Sequence, residues 1–258
     1  MRFGSVGIAH FAAFVCLLRF ASAAQPEPAA QVPILVYHRF GQTVTDSMTV
    51  SVRVFESQLA LIHQGGYHVI ALQDLVDAIL NKGELPSHSI VITADDGHES
   101  IYSEMVPRLK RYGFPATLFI YPSAISNAKW AMTWPQLVEL QASGLFDVQS
   151  HTYWHPNFRI EKQRLTATAY QEFVDWQLER SKKTLEQTLK KRIDLLAWPF
   201  GIYDDWLMEE ARQAGYRAAF SIERRPARIA DLPMALPRYL MTDSLRGSSF
   251  EKLLEVSR

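Results

Sequence analysis

The chain has 258 residues, of which 27 are lysine or arginine and 27 are aspartate or glutamate, so its formal net charge at pH 7 is zero. Its 48% hydrophobic and 12% aromatic residues exclude a disordered protein, and its 12 glycines and 13 prolines exclude a fibrous one. The balanced charge gives no basis for a nucleic-acid partner, the single cysteine excludes an internal disulfide, and the length suits one globular domain or two small ones.

The N-terminal segment has the features of a secretory signal peptide. Arg2 supplies a positive charge, residues 4–18 form an apolar stretch, and residues 21–23 (ASA) are typical of a signal peptidase site. The apolar stretch is shorter than the roughly 20 residues of a membrane-spanning helix, and an uncleaved membrane anchor is the alternative. We predict a signal peptide over 1–23, a linker over 24–32 and one folded domain over 33–258. The protein is then exported to the periplasm, the cell surface or the medium, without a membrane span after cleavage.

Along the folded domain, short apolar runs alternate with amphipathic helical patterns. Strands are predicted over residues 33–38, 68–71, 89–93, 116–121, 146–149, 195–198 and 217–222. Helices are predicted over residues 53–64, 73–81, 101–111, 134–142, 166–189 and 204–214. Such alternation is typical of parallel strands joined by crossover helices. We therefore predict an α/β fold, a distorted (β/α) barrel with seven or eight parallel strands.

Three polar clusters directly follow predicted strands. They are residues 93–97 (TADDG), residues 150–155 (SHTYWH) and residues 199–201 (PFG). Active sites of (β/α) barrels lie at the carboxyl ends of the strands. We expect the three clusters to meet in one site.

Asp95 and Asp96 are adjacent carboxylates in the first cluster. Two neighbouring carboxylates repel one another, and a bound cation removes this penalty for one of them while the other stays free to take a proton. The alternative is that the pair caps the helix that follows, because aspartate is a favoured N-cap and Gly97 is a favoured turn residue. The pair alone leaves both interpretations open.

His151 and His155 are four residues apart, so both imidazoles face one point if the segment forms a helical turn. Histidines at this spacing after a buried strand are either metal ligands or structural residues. With Asp96 they form a set of two imidazoles and one carboxylate, which suits hydrolytic zinc and non-haem iron. We predict a divalent metal at these three residues, with zinc preferred and cobalt, nickel or ferrous iron as alternatives.

Together the clusters resemble the motifs of the polysaccharide deacetylases, also called carbohydrate esterase family 4 or the NodB homology domain. That family has T-F-D-D-G, then H-[ST]-x-x-H, then R-x-P-[YF]. This chain has TADDG at 93–97, HTYWH at 151–155 and AWPF at 197–200, in the same order. Residues 32–38 (VPILVYH) are also similar to the start of many members. The resemblance extends over residues 33–238 and implies that the folded domain is a catalytic domain of this family.

The resemblance implies a role for each matched residue. Asp95 is in the position of the general base, and the backbone amide of Phe200 is in the position of the oxyanion donor. The metal ligands implied are Asp96, His151 and His155. The reaction implied is hydrolysis of an N-acetyl group of a polysaccharide by a water that the metal activates, with Asp95 taking the proton.

Two departures from the family pattern require other residues. Ala197 stands where the family has the arginine that orients the base, and we predict that Arg238 takes this role. No histidine follows His155, although the family usually has its general acid near the C-terminus. We predict that His38 protonates the leaving amine; the alternative is that it only packs at the barrel mouth.

Trp154 and Pro199 are the candidate substrate contacts. Trp154 lies between the two histidines, where its ring can stack on a sugar, although buried tryptophans are more common. Pro199 belongs to the third motif. The WPFG form of that motif and the missing C-terminal histidine resemble the branch of the family that acts on biofilm poly-N-acetylglucosamine. Chitin and peptidoglycan are the alternative polymers.

The function predicted is a metal-dependent deacetylase of an N-acetylglucosamine polymer. A catalytically weak carbohydrate-binding protein on the same fold is the alternative, because Ala197 and the missing histidine depart from the family. A barrel glycoside hydrolase is disfavoured, because it leaves the two histidines unexplained. The sequence does not determine the oligomeric state.

Overall fold

The structure is a computed structural model that describes residues 1, 3–4 and 31–257. The predicted signal peptide, apart from residues 1 and 3–4, and linker residues 24–30 lie outside the described residues. The last two linker residues, Gln31 and Val32, form a strand that pairs with Ala227 and Arg228. The folded part therefore includes these two residues, because their backbone groups pair with another strand. Within the described ranges, no helix is both long enough and apolar enough to cross a membrane.

Strands and helices alternate between residues 52 and 220, as predicted, apart from the two successive helices that precede residue 190. The strands of residues 31–257 are β1 (Gln31–Val32), β2 (Ile34–Tyr37), β3 (Arg39–Gly41), β4 (Thr49–Ser51), β5 (His68–Val69), β6 (Ser89–Asp95), β7 (Ala116–Ile120), β8 (Phe146–Ser150), β9 (Leu195–Ala197), β10 (Ala218–Phe220), β11 (Ala227–Arg228) and β12 (Tyr239–Leu240). The α-helices of this range are α1 (Val52–Gln64), α2 (Leu72–Asn81), α3 (Val106–Tyr112), α4 (Trp134–Ala142), α5 (Phe158–Arg164), α6 (Ala167–Leu189), α7 (Asp205–Gln213) and α8 (Ser248–Leu254).

Seven of these strands form a parallel sheet in the order β10, β9, β8, β7, β6, β2, β12, and β5 pairs with the start of β6. The two ends of the sheet meet through the segment that leads into β12. Phe220 of β10 pairs in parallel with Leu236, and the Ser221 amide donates to the Leu236 carbonyl at 2.8 Å. Four residues later, Leu240 pairs with Val36 of β2. The predicted distorted (β/α) barrel is confirmed.

The elements form where the sequence favours them locally. β6 reads SIVITAD and is buried at every position, as expected for a strand covered on both sides. The helices begin at polar caps. Ser51 accepts the Val54 amide at the start of α1, and Thr133 caps α4 in a capping box with Gln136.

Several elements are absent from the sequence-based predictions, namely β3, β4, β11, β12, α5 and α8, and one predicted helix begins differently. The sequence does not predict α5, because its seven residues bury only Phe158 and so show no apolar periodicity. The predicted helix over 101–111 begins as a π-helical turn, Ile101–Met105, before α3. β12 has two residues, which is too short for a pattern to emerge.

The carboxyl ends of the central strands bring the three motifs together. β6 ends at Asp95, β8 ends directly before His151, and β9 ends three residues before Phe200. These strands and β2, which ends directly before His38, lie within five neighbouring positions of the sheet. The fold therefore delivers the residues singled out in the sequence to one edge of the barrel.

Candidate active site

A cavity of about 360 Å³ opens at this edge of the barrel. It contains residues of all three motifs, the residue directly after β2, and residues from β3 and β12. Its lining consists of His38, Arg39, Met48, Asp95, Asp96, His151, His155, Trp198, Phe200, Gly201, Ile222 and Leu240. The sequence-based expectation that the clusters meet in one site is confirmed.

Asp96, His151 and His155 form a candidate metal site in which one ligand atom of each lies within 4.8 Å of the others. The Asp96 Oδ1 atom is 3.6 Å from His151 Nε2 and 3.7 Å from His155 Nε2. Ligand atoms about 2.0–2.1 Å from a tetrahedral ion are about 3.4 Å apart, so these separations suit a small divalent cation. The Asp96 Oδ1 atom is buried and has no hydrogen-bond partner within residues 31–257. A bound cation would satisfy it.

The local backbone holds these ligands in place. The His151 Nδ1 atom donates to the Ala197 carbonyl at 2.8 Å, which leaves the Nε2 lone pair for a metal. Asp96 has a φ of 73°, and the following Gly97 has a φ of 77°. A side chain at Gly97 would also place its Cβ 2.9 Å from the Ile120 side chain. This turn therefore requires glycine directly after the aspartate pair.

The sequence analysis expected the two imidazoles to face one point if residues 151–155 formed a helical turn. The structure has no helical turn there. Residues 151–157 contain no helix, and Thr152 and His155 have φ values of 64° and 66°. Their rings nevertheless lie 4.6 Å apart, centroid to centroid. The helix-cap interpretation of Asp95 and Asp96 is wrong, because the next helical segment begins at Ile101 and has Ser100 as its N-cap.

Arg238 forms a bidentate ion pair with Asp95. Its Nη1 and Nη2 atoms donate to the two carboxylate oxygens at 2.8 and 2.7 Å, and its Nε donates to the Ser221 carbonyl at 3.0 Å. Arg238 is fully buried and Asp95 is 2% exposed. The structure therefore places the predicted arginine, Arg238, against the predicted base, Asp95. Arg238 supplies the positive charge that Ala197 lacks.

The two aspartates have opposite pKa shifts. Burial alone would raise the pKa of Asp95, but the charge and hydrogen bonds of Arg238 hold it at about 2. Burial and the neighbouring Asp95 raise the pKa of Asp96 to about 7. Asp96 is therefore partly protonated near neutral pH, while Asp95 stays ionised.

Burial also keeps the cavity imidazoles neutral. It lowers the pKa of His151 to about 3 and lowers the pKa of His155, so both imidazoles are unprotonated at pH 7, as metal ligands have to be. His38 is buried too, and its pKa falls to about 4, mainly because of burial. Within residues 31–257, the His38 Nδ1 atom has no hydrogen-bond partner. It is free to bond to a substrate.

The third motif forms a 3-10 turn, Pro199–Gly201, in which Phe200 has a φ of 57°. The turn's hydrogen bonds run from the Gly201 amide to the Trp198 carbonyl and from the Ile202 amide to the Pro199 carbonyl. The Phe200 amide takes no part in these two bonds. The Phe200 ring is 55% exposed and lies 4.5 Å from the His155 ring. Pro199 is buried and does not line the cavity, so the exposed part of this motif is Phe200.

Trp154 is 51% exposed but does not line the cavity itself. Its ring lies beside Phe173 and Trp176 of α6, at centroid distances of 5.8 and 6.3 Å. It therefore stands at the margin of the site, where its contact with a sugar stays a prediction.

Two residues that the sequence analysis missed support the site. Gln177 of α6 is fully buried, and its Oε1 accepts the Tyr153 and Trp154 amides at 3.2 and 3.1 Å. Tyr121 packs its ring 5.4 Å from the His155 ring. Neither residue lies in a motif, so no local pattern marks them.

Comparison with known proteins identifies the family. The family model "polysaccharide deacetylase" matches residues 82–219. A Bacillus subtilis protein described as a polysaccharide deacetylase, YxkH, is 28% identical over 231 residues, which cover 89% of this chain and 78% of that protein. The poly-beta-1,6-N-acetyl-D-glucosamine N-deacetylase of Staphylococcus aureus (strain MRSA252) is 26% identical over 211 residues, 80% of this chain and 71% of that protein.

The fold has solved counterparts as well. The Streptococcus pyogenes deacetylase PplD, solved in complex with acetate, superposes with a TM-score of 0.78 at 21% identity, over 88% of this chain and 99% of that chain. This likeness confirms the fold. Because the family model matches more than half of the sequence and its motifs converge in one cavity, the chain belongs to the polysaccharide deacetylase family.

Proposed function

We propose that the protein is an exported, metal-dependent hydrolase that removes N-acetyl groups from an N-acetylglucosamine-containing polysaccharide. The observation that carries the proposal is that one cavity contains both a candidate metal site and a separate ionised carboxylate, Asp95. A set of two imidazoles and one carboxylate suits a divalent metal, and a second carboxylate directly beside it is kept ionised by Arg238.

The proposed metal is zinc, with cobalt, nickel or ferrous iron as alternatives, held by Asp96, His151 and His155. A divalent cation at these residues supplies Lewis acidity, which polarises a carbonyl and lowers the pKa of water. The protein contributes neutral imidazoles and a carboxylate that releases its proton to make room for the cation.

Asp95 is the proposed general base. Its low pKa keeps it ionised across the neutral range, and both of its oxygens are aligned by Arg238. A carboxylate held in this way can accept the proton of an attacking water at a fixed position. Arg238 acts through Asp95 and is a positioning residue.

His38 is the proposed route of the proton to the leaving nitrogen. With a pKa near 4 it is neutral at pH 7, so it has to receive the proton during turnover before it can donate one. Asp95 lines the same cavity and raises the pKa of His38 through its charge. The proton taken by Asp95 can therefore pass through His38 to the amine.

The Phe200 amide is the proposed donor to the oxyanion that forms when the carbonyl is attacked. The turn places Phe200 beside His155 and uses the neighbouring amides, Gly201 and Ile202, for its own hydrogen bonds. This leaves the Phe200 amide available to substrate.

Poly-β-1,6-N-acetylglucosamine is the proposed polymer. The named activity of the Staphylococcus aureus relative and the WPFG form of the third motif support this choice. Residues 1–23 have the features of a signal peptide, which supports export. Export would bring the protein to a polymer that lies outside the cytoplasm.

The competing functions are weaker. The carbohydrate-binding alternative rests partly on Ala197, and Arg238 supplies the charge that Ala197 lacks. A glycoside hydrolase needs a carboxylic acid that is protonated when it meets substrate. Asp95, with a pKa of about 2, does not suit that role, and a glycoside hydrolase leaves the two histidines beside Asp96 unexplained.

Variants of three cavity residues test the proposal when acetate release and metal content are measured on the same samples. Asp96→Ala loses the metal and the activity. Asp95→Asn keeps the metal and loses turnover by about two to four orders of magnitude. His38→Ala keeps the metal and lowers turnover, and Asp74→Asn, an exposed carboxylate of α2, serves as the control. Full activity in Asp95→Asn, or near wild-type turnover in His38→Ala, contradicts the corresponding role.

A further inference from the structure

A second cavity, of about 420 Å³, lies among α5, α6 and α7. Its lining consists of Lys162, Leu165, Ala167, Tyr170, Gln171 and Trp206. None of these residues belongs to the three motifs, and none lines the cavity that holds Asp95. The second cavity is therefore not explained by the proposed reaction.

The helices that line this cavity begin close to the active-site motifs along the chain. α5 begins three residues after His155, and α7 is capped by Asp204, four residues after Phe200. Four residues span at most about 14 Å, so the Phe200 and Asp204 backbones lie within that distance. A chain molecule bound at the active site can reach the second cavity.

The lining combines aromatic rings with charged and amide groups. The Tyr170 and Trp206 rings lie 5.3 Å apart, and Lys162 Nζ lies 5.9 Å from the centre of the Tyr170 ring. Lys162 also donates to the Asp204 carboxylate at 2.8 Å. Rings offer contact area to the apolar faces of a sugar, and polar groups at the rim can bond to its hydroxyls.

One buried polar group in this cavity has no partner. Tyr170 is 4% exposed, and its hydroxyl makes no hydrogen bond to any group within residues 31–257. The nearby Asp204 carboxylate is already engaged by Lys162 and by the Leu207 amide. A buried hydroxyl without a partner destabilises a protein, and a ligand oxygen can satisfy it.

Aromatic rings also connect the two cavities. From Trp154, which neighbours His155, the centroid distances are 5.8 Å to Phe173, then 6.5 Å to Tyr170, then 5.3 Å to Trp206. The row runs from the margin of the metal site to the second cavity. Tyr170 is buried within this row, so the exposed ring of Trp154 and the partly exposed rings of Phe173 and Trp206 are the surface that a polymer can contact.

We propose that the cavity lined by Tyr170 and Trp206 is a remote subsite that binds a sugar residue of the polysaccharide, away from the residue being deacetylated. The Tyr170 hydroxyl bonds to an oxygen of that sugar, and Trp206 packs against its face. The inference rests on the proposed function for the class of ligand and adds a second point of attachment on the same chain.

Tyr170→Phe is the sharpest test, because it removes only the hydroxyl that has no protein partner. The dissociation constant of a β-1,6-linked N-acetylglucosamine hexasaccharide is measured by calorimetry on the metal-free protein. The ratio of kcat/KM for the hexasaccharide to kcat/KM for the disaccharide is measured on the metal-loaded protein. We expect binding to weaken and the ratio to fall, each by about threefold to tenfold, with folding stability unchanged or higher.

Two further variants complete the experiment. Trp206→Ala weakens hexasaccharide binding by about tenfold, and Trp206→Phe restores most of it. Tyr102→Phe removes an exposed hydroxyl that bonds to Glu139, and it leaves both measurements unchanged.

The outcomes separate the two proposals. If acetate is released but Tyr170→Phe and Trp206→Ala bind the hexasaccharide like the wild type, the subsite is wrong and the proposed function stands. If no acetate is released but both variants bind the hexasaccharide more weakly, the proposed function fails and the subsite stands.

Discussion

At the scale of single residues, the main feature of the site is that the adjacent aspartates Asp95 and Asp96 have pKa values shifted in opposite directions. Arg238 lowers the pKa of Asp95 to about 2, and burial beside Asp95 raises the pKa of Asp96 to about 7. One carboxylate is therefore charged across the neutral range, while the other holds a proton below about pH 7. This difference suits Asp95 to the proposed role of general base and Asp96 to the proposed role of metal ligand.

Metal binding should accordingly depend on pH. In the metal-free protein, Asp96 is protonated below about pH 7, and a metal has to displace that proton. We expect the metal association constant to rise about tenfold per pH unit up to about pH 7 and then to level off. Competition titrations with a chelator of known affinity measure this dependence.

Asp95→Asn provides the internal control for that measurement. It removes the neighbouring charge that raises the pKa of Asp96, so the pH at which the association constant levels off should move down. A constant that does not change with pH in the wild type contradicts the assignment of Asp96 as the proton-releasing ligand.

Arg238→Met should be destabilising as well as inactivating. It leaves a buried Asp95 without its partner, which costs about 3–5 kcal/mol when a buried ion pair is broken. The folded-state pKa of Asp95 is lowered from 3.8 to about 2, so this contribution is present above about pH 4 and is lost as pH falls towards 2. Denaturant unfolding at several pH values should show the gap to wild type closing in acid.

Arg246→Met is the matched control for Arg238→Met. Arg246 pairs with Asp243 at 3.8 Å on the surface, where its side chain is 57% exposed, so its loss should change stability by about 0.5 kcal/mol or less. Wild-type turnover in Arg238→Met contradicts the positioning role of Arg238.

At the scale of elements, the loop between β8 and α5 is hydrogen-bonded to α6. The Gln177 side chain accepts hydrogen bonds from the amides of Tyr153 and Trp154, which lie between the two candidate histidine ligands. The loop contains no helix and has two positive φ values, so these hydrogen bonds replace the regular structure that it lacks. Gln177 thereby holds the backbone between His151 and His155.

Gln177→Leu should therefore weaken metal binding without touching a ligand. It leaves two amides without their acceptor, which costs about 1–3 kcal/mol of stability, and the loosened loop lowers metal affinity by about tenfold. Gln187→Leu, at an exposed position of the same helix, is the control for helix stability. Unchanged metal affinity in Gln177→Leu contradicts a positioning role for Gln177.

The sequence predicts the elements that carry strong patterns. Fully buried strands such as β6 and long periodic helices such as α6 appear where expected. α5 and β12 are absent from the predictions, because one is short with a single buried residue and the other has two residues. The histidine spacing correctly indicates convergence, but backbone angles in the loop, rather than a helical turn, produce it.

At the scale of the whole molecule, the barrel joins residues that are far apart in sequence. Arg238 reaches Asp95 across 143 residues because the segment leading into β12 joins the two ends of the sheet. The motifs predict the metal ligands and the base, since they are local patterns. The hydrogen bonds of Gln177 to the loop after β8, and the second cavity, depend on contacts between elements that are separate in sequence. Only the folded structure shows them.

The central claim is that this cavity hydrolyses N-acetyl groups with a divalent metal at Asp96, His151 and His155. The most direct test is acetate release from poly-β-1,6-N-acetylglucosamine, with chitin oligomers and peptidoglycan fragments in parallel and metal content measured on the same protein. We expect acetate release that stops when a chelator removes the metal and returns when zinc or cobalt is added. A metal-loaded protein that releases no acetate from any of the three polymers, or release that continues after complete removal of the metal, contradicts the claim.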